Sequence, residues 1–205
     1  MLLSALKQTG TERITVILED ETEIRSSLSV VTELRLFVGK ELDEGQVEEL
    51  RCLSRRSLAR DKALEMISRR AMSCRELEKK LLEKGEDEAT AAYCVEWLTE
   101  HRFLDDEDYA RRIVRHYAAR NYGEGRIRAE LSRRFVPRDL WDDAMREISG
   151  ADDKLEAFLA ARLKHPEDRD EVRKVSNALF RRGYSWEQIR DALRRYSDSI
   201  SEELL

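Results

Sequence analysis

The sequence predicts a mainly α-helical protein, built as three tandem three-helix repeats in an elongated array behind a small N-terminal β-hairpin and helix extension. Three observations carry this. Eight glycines and two prolines in 205 residues cannot supply the turn about every 8–12 residues that a β-sandwich or barrel needs. Charged residues make up 40% of the chain, against roughly 25% in an average domain, which suits solvated helix faces over thin packed layers. A 24-residue pattern then recurs three times, and each copy has helical spacing.

The elements follow in chain order. Arg13 to Leu18 is β-branched and partly alternating, Glu19 to Thr22 is a polar break, and Glu23 to Leu28 returns as a second strand. This predicts a small hairpin, although no Asn-Gly or Asp-Gly turn marks it. Val30 to Val38 reads as a short helix stopped at Gly39, a left-handed cap. Asp43 reads as the N-cap of a helix reaching about Leu53. From about residue 57 the chain is helical throughout.

Residues 75–98, 125–148 and 173–196 align without a gap. Apolar positions coincide: Leu77, Ile127 and Val175; Leu81, Leu131 and Leu179; Val95, Met145 and Leu193; Leu98, Ile148 and Tyr196. Between the two halves of each block stand Gly85, Phe135 and Gly183, followed by the helix-starting residues Asp87, Pro137 and Ser185. Ser73 with Glu76, and Ser185 with Gln188, are spaced as capping boxes. A longer helix precedes each block: Leu58 to Arg70, Asp105 to Arg120, and Asp153 to Lys164. The expected divisions are an extension over 1–55 and repeats over 56–104, 105–150 and 151–205. Nearest-neighbour packing makes an elongated array the expectation, with a compact nine-helix bundle as the alternative.

Several function classes are disfavoured. No apolar run approaches the ~18 residues that cross a bilayer, and MLLSALKQTG is too short in its apolar part for an export signal and has no basic residues ahead of it. Cys52, Cys74 and Cys94 are odd in number and lack C-x-x-C spacing, so reduced thiols and a cytoplasmic setting are expected. His101, His116 and His165 lie far apart without metal-ligand partners. Asp105, Asp106 and Asp108 open a helix, where carboxylates cap amides and offset the dipole rather than hold a metal. Phosphate-cradling glycine motifs are missing. The expectation is no enzyme, no cofactor, no metal and no small-molecule substrate.

Charge distribution is more informative. Residues 111–134 hold eight arginines and two glutamates, a local charge of +6 in a chain of −5. These are Arg111, Arg112, Arg115, Arg120, Arg126, Arg128, Arg133 and Arg134, and with Arg181 and Arg182 they form the candidate surface for a protein or DNA partner. Arginine forks suit phosphate and carboxylate. Further basic residues recur in the third repeat (Arg173, Lys174, Arg190, Arg194, Arg195) and around the first (Arg55, Arg56, Arg60, Lys62, Arg69, Arg70). The competing reading is a solvated face balanced by nearby acids, and a pI of about 5.5 weighs against simple DNA binding.

Leu104-Asp105-Asp106-Glu107-Asp108-Tyr109-Ala110 resembles the L-D-D-x-x-Y-A signature of the RecX regulatory proteins. Gly123 to Leu131 resembles their G-x-x-R-I-x-x-E-L segment, and Ser73 to Gly85 their S-x-x-E-L-x-x-K-L-x-x-K-G. The resemblance covers roughly residues 57–196, and Val38 to Leu42 is similar to the N-terminal extension of longer members. It implies three three-helix units in a curved molecule that binds the RecA recombinase filament, and the single- or double-stranded DNA within it, by lying in the filament groove. It further implies inhibition of ATP hydrolysis and strand exchange, by capping or disassembly, in recombination, DNA repair and the SOS response. Phe135 departs from the family's glycine at that turn, so an altered turn is expected in the middle repeat. The rival readings are a stand-alone nucleic-acid-binding module and a protein-interaction scaffold.

Overall fold

The structure, a computed structural model, describes residues 1–148 and 151–203. The chain divides into two compact units, Met1–Leu104 and Asp105–Leu205.

In the first unit, β1 (Leu3–Gln8), β2 (Arg13–Leu18) and β3 (Glu23–Ser27) form an antiparallel sheet in the order β1-β2-β3. The expected hairpin is β2–β3. The sequence reading missed β1, which pairs Leu6 with Val16 and Gln8 with Ile14. An isolated two-stranded hairpin is marginal in water, and the third strand with its buried Leu3 widens the apolar face. The start of β1 is covered rather than left open: the Leu3 amide donates to the Lys40 carbonyl at 2.9 Å and the Gly39 amide to the Leu3 carbonyl at 2.8 Å.

Helix α1 (Leu28–Glu33) is shorter than the expected Val30 to Val38. Arg35, not Gly39, makes the left-handed stop at φ +48°, and the Arg35 and Leu36 amides fold back to the Thr32 and Val31 carbonyls. The two helices expected over 43–53 and 58–70 are one, α2 (Glu44–Arg69). Asp43 caps it as expected, in a reciprocal box with Gln46. The serines in its middle do not break it because they face the sheet: Ser54 Oγ donates to Ser26 Oγ at 2.8 Å, and Ser57 and Ser27 share a hydrogen bond at 2.8 Å. Val47 and Leu50 join a core with Leu3, Val16 and Leu18. Further along the same helix, Ala59 and Ala63 pack with Leu77 and Leu81 of α3 (Cys74–Glu83) and Leu98 of α4 (Glu88–Glu100).

The second unit begins with α5 (Asp106–Ala118), α6 (Glu124–Arg133), a 3-10 turn (Arg138–Leu140) and α7 (Trp141–Met145). It continues with α8 (Ala151–Arg162), α9 (Arg169–Arg181) and α10 (Trp186–Glu203). The matched positions Leu77, Ile127, Val175, Leu81, Leu131 and Leu179 are all buried, so the repeat frame is also the packing frame. Phe135 does not alter its turn. Gly85, Phe135 and Gly183 all adopt left-handed backbone, at φ +87°, +56° and +91°. Each turn carries the same pair of bonds: Gly85 to Leu82 and Glu86 to Leu81, Phe135 to Ser132 and Val136 to Leu131, Gly183 to Phe180 and Tyr184 to Leu179. Those two bonds, with the buried Val136 beneath, hold Phe135 in a conformation costing about 1 kcal/mol. The middle repeat differs after the turn, where Pro137 opens a 3-10 turn and a five-residue helix. The buried Trp141 fixes that arm, its Nε1 donating to the Val136 carbonyl at 3.1 Å.

Candidate partner-binding surface

The acidic residues that open α5 lie one turn before its arginines, so spacing alone pairs them. Asp105 caps the helix, accepting from the Asp108 amide at 2.8 Å. Arg111 pairs with Glu107 and reaches Glu147 at 3.4 Å. Arg112 meets Asp108 at 3.0 Å, and Arg115 lies 3.6 Å from Glu147. On α6, Arg128 bridges Glu124 at 2.6 Å and Asp142 at 2.9 Å. The +6 window therefore loses much of its charge to acids just outside it, at Glu107, Asp108, Asp142 and Glu147.

Arg126, Arg133 and Arg134 converge on Glu130, at 3.4, 2.7 and 3.7 Å. Its side chain is only 4% exposed. Burial pushes this carboxyl up, but the Arg133 guanidinium, the Tyr117 hydroxyl and the Arg126 charge outweigh burial and hold it below the ordinary range. Arg134 is half-buried and donates to the Tyr109 hydroxyl at 2.9 Å, tying α6 to α5. Sequence reasoning missed Glu130 and Tyr109 as organisers, since Glu130 is marked only by arginines at −4, +3 and +4.

Arg120 and Arg181 are exposed and have no carboxylate partner among the described residues. Arg182 is structural. Its Nη1 donates to the Arg120 and Asn121 carbonyls at 3.1 and 3.4 Å, and its guanidinium lies over the Tyr122 and Phe158 rings. The basic set around the first repeat is engaged too: Arg55 with Asp87, Lys62 with Glu86, Arg69 with Glu65, Arg70 with Glu76. Arg56 and Arg60 lie over Tyr93 and Trp97. Asp87 sits at about 2, lowered first by the Thr90 amide it caps and then by Arg55.

The glycine-rich link at 121–125 is a joint. The Gly123 amide donates to the Arg182 carbonyl at 2.9 Å, and the Gly125 amide to the Gly183 carbonyl at 3.0 Å. Lys154 Nζ adds a bond to the Ala118 carbonyl at 3.2 Å, fastening the second repeat to the third. Beside the joint is an open cleft of about 600 Å³, walled by Glu124, Arg128, Phe180, Tyr184 and Gln188.

Among the described residues, no cluster of three His, Cys, Asp or Glu side chains could hold a metal, and no helix is long and apolar enough to cross a membrane. His101, His116 and His165 are exposed.

Comparison with known proteins adds a lineage to this geometry. Models of the first, second and third three-helix domains of RecX match residues 59–98, 105–145 and 153–193. The regulatory protein RecX of Vibrio parahaemolyticus is 36% identical over 139 residues, 66% of this chain and 89% of that relative. Its counterpart from Clostridium botulinum (strain Eklund 17B) is 28% identical over 94% of this chain and 92% of its own length. In fold, the chain is similar to a crystal structure of regulatory protein RecX, with a TM-score of 0.72 and 23% identity over 93% of this chain and 98% of that one. The RecX structure from Lactobacillus salivarius gives a TM-score of 0.64 at 19% identity, over 70% of this chain and 97% of that one.

Proposed function

The chain belongs to the RecX family of regulatory proteins, and from that premise we propose that it binds RecA nucleoprotein filaments and lowers their ATP hydrolysis and strand exchange. The observation that carries this reading is the family match at each of the three repeats. A chain of repeats offers several weak contacts to neighbouring filament subunits and the DNA they hold, and linked weak contacts add through high effective concentration. In this reading the protein is a cytoplasmic, non-enzymatic regulator with an extension over 1–55 and repeats over 56–104, 105–150 and 151–205. It lies in the filament groove and acts by capping or disassembly.

The grip falls to exposed guanidinium groups. Arg120 and Arg181 are free to take a new carboxylate or phosphate. Arg111, Arg112, Arg115 and Arg128 are paired in water-exposed bridges that contribute little (~0–1 kcal/mol) and exchange readily, while Arg126 and Arg133 present exposed guanidinium groups anchored on the buried Glu130. Arg134 and Arg182 act indirectly, by holding that surface in place.

The test is ATP hydrolysis by RecA on single-stranded DNA with this protein well below the RecA concentration. Inhibition far exceeding the added stoichiometry is expected, and Arg120→Ala with Arg181→Ala should weaken it several-fold without altering the fold. An unchanged rate at saturating protein overturns the reading.

A further inference from the structure

The third repeat leaves two large aromatic rings in the open. Phe180, at the end of α9, is 49% exposed, and Trp186, at the start of α10, is 50% exposed. The rings stack on each other with centroids 5.0 Å apart and planes 18° from parallel. Leu179, Tyr184 and Ile189 already fill the core beneath, so the pair stays at the surface with its outer ring faces available.

Four cations around this pair have no carboxylate partner among the described residues, while Glu187 and Glu124 line the cleft beside Phe180. Arg190 and Arg194 follow Trp186 at spacings of four and eight, so they lie one and two turns along the same side of α10. On α9, Arg181 adjoins Phe180, Lys174 lies two turns behind Arg181, and the exposed Asn177 sits one turn behind Phe180. All four cations are exposed, and none has a carboxylate partner among the described residues. Their neighbours do: Arg173 pairs with Asp170 at 3.1 Å and Arg195 with Glu156 at 2.8 Å. Glu187 and Asp191 stand three residues before Arg190 and Arg194 on α10, within one turn of them, and neither comes within ion-pair distance of those two arginines.

We propose that this face binds single-stranded nucleic acid, with bases stacking on the Phe180–Trp186 pair and phosphates held by Lys174, Arg181, Arg190 and Arg194. Cations alone would take any polyanion, and it is the ring pair that selects a ligand with flat, apolar faces between its charges. Every base has such a face, so binding is tolerant of sequence. The two turns from Trp186 to Arg194 span about 12 Å along the helix axis, enough for more than one phosphate. This goes beyond filament regulation, because it needs no recombinase.

The test uses the full chain labelled with 5-fluorotryptophan, a twelve-nucleotide thymidylate strand and low salt, without RecA. The fluorine resonance that disappears in Trp186→Phe should shift on titration, while that of the buried Trp141 stays put. Phe180→Leu with Trp186→Leu, both exposed positions, should weaken binding at least tenfold with the circular dichroism unchanged. Arg190→Gln with Arg194→Gln should lower the slope of log affinity against log salt by about 1.4. Equal binding of an abasic strand of the same length, or an unchanged affinity in the aromatic double variant, would overturn the proposal and leave a plain polyanion surface. A Trp186 shift produced equally by a polyglutamate peptide would overturn it in favour of an acidic protein partner. Since RecA is absent throughout, failure here leaves the hydrolysis assay standing on its own.

Discussion

Gly123 and Gly183 meet backbone to backbone. A Cβ added at Gly123 would fall 2.5 Å from the Gly183 carbonyl, and one added at Gly183 would fall 2.3 Å from the Arg126 amide nitrogen. The left-handed turn of the third repeat is thus also the seat on which the second repeat rests. Gly85 has the same backbone conformation but nothing within 4 Å.

These two glycines should therefore respond differently to alanine. Gly85→Ala meets only left-handed strain and should cost about 1 kcal/mol. Gly183→Ala adds a backbone collision and should cost about 3 kcal/mol. Urea unfolding measures both. Equal costs would mean that the joint yields without resistance.

Phe135 holds a left-handed φ of +56° without glycine's freedom. Phe135→Gly should be more stable than Phe135→Ala by about 1 kcal/mol, the reverse of the order at an ordinary helical site. The comparison removes the same ring from both variants, so thermal denaturation isolates the backbone.

Ser26 and Ser54 are each 1% exposed and bonded to one another. Ser26→Ala leaves the Ser54 hydroxyl buried without that partner and should cost about 1–2 kcal/mol. Ser26→Ala with Ser54→Ala should cost less than the sum of the two single changes, which a double-mutant cycle in urea would show.

Acid should weaken each unit through an identifiable carboxylate. Glu130 is held below its ordinary 4.5 in the folded state, so its contribution is complete above that value and is lost as pH falls below it. Asp87 lies at about 2 against an ordinary 3.8, so its contribution disappears between roughly pH 4 and pH 2. Urea midpoints measured from pH 6 to pH 2 should fall less steeply below pH 4.5 in Glu130→Gln, and less steeply below pH 4 in Asp87→Ala.

The candidate surface was legible as composition and not as arrangement. A count over 111–134 finds the arginines, and spacing alone foretells the pairs of Arg111 with Glu107 and Arg112 with Asp108. It cannot foretell that Arg128 reaches Asp142, 14 residues away, or that Arg134 reaches Tyr109, 25 away. Trp186 stood next to the helix-starting Ser185, and nothing local shows that it would stack on Phe180 in the open.

By itself the sequence determined the three-fold helical frame and the caps at Asp43, Ser73, Asp87, Asp105 and Ser185, because helical period and capping act within about one turn of chain. Only the tertiary structure decided that residues 3–8 are a strand, that α2 runs unbroken past Ser54 and Ser57, and which cations stay free. Those outcomes depend on partners distant in sequence: a strand needs its neighbour's amides, a buried serine needs an opposing hydroxyl, and a guanidinium is neutralised by whichever carboxylate the packing brings within reach.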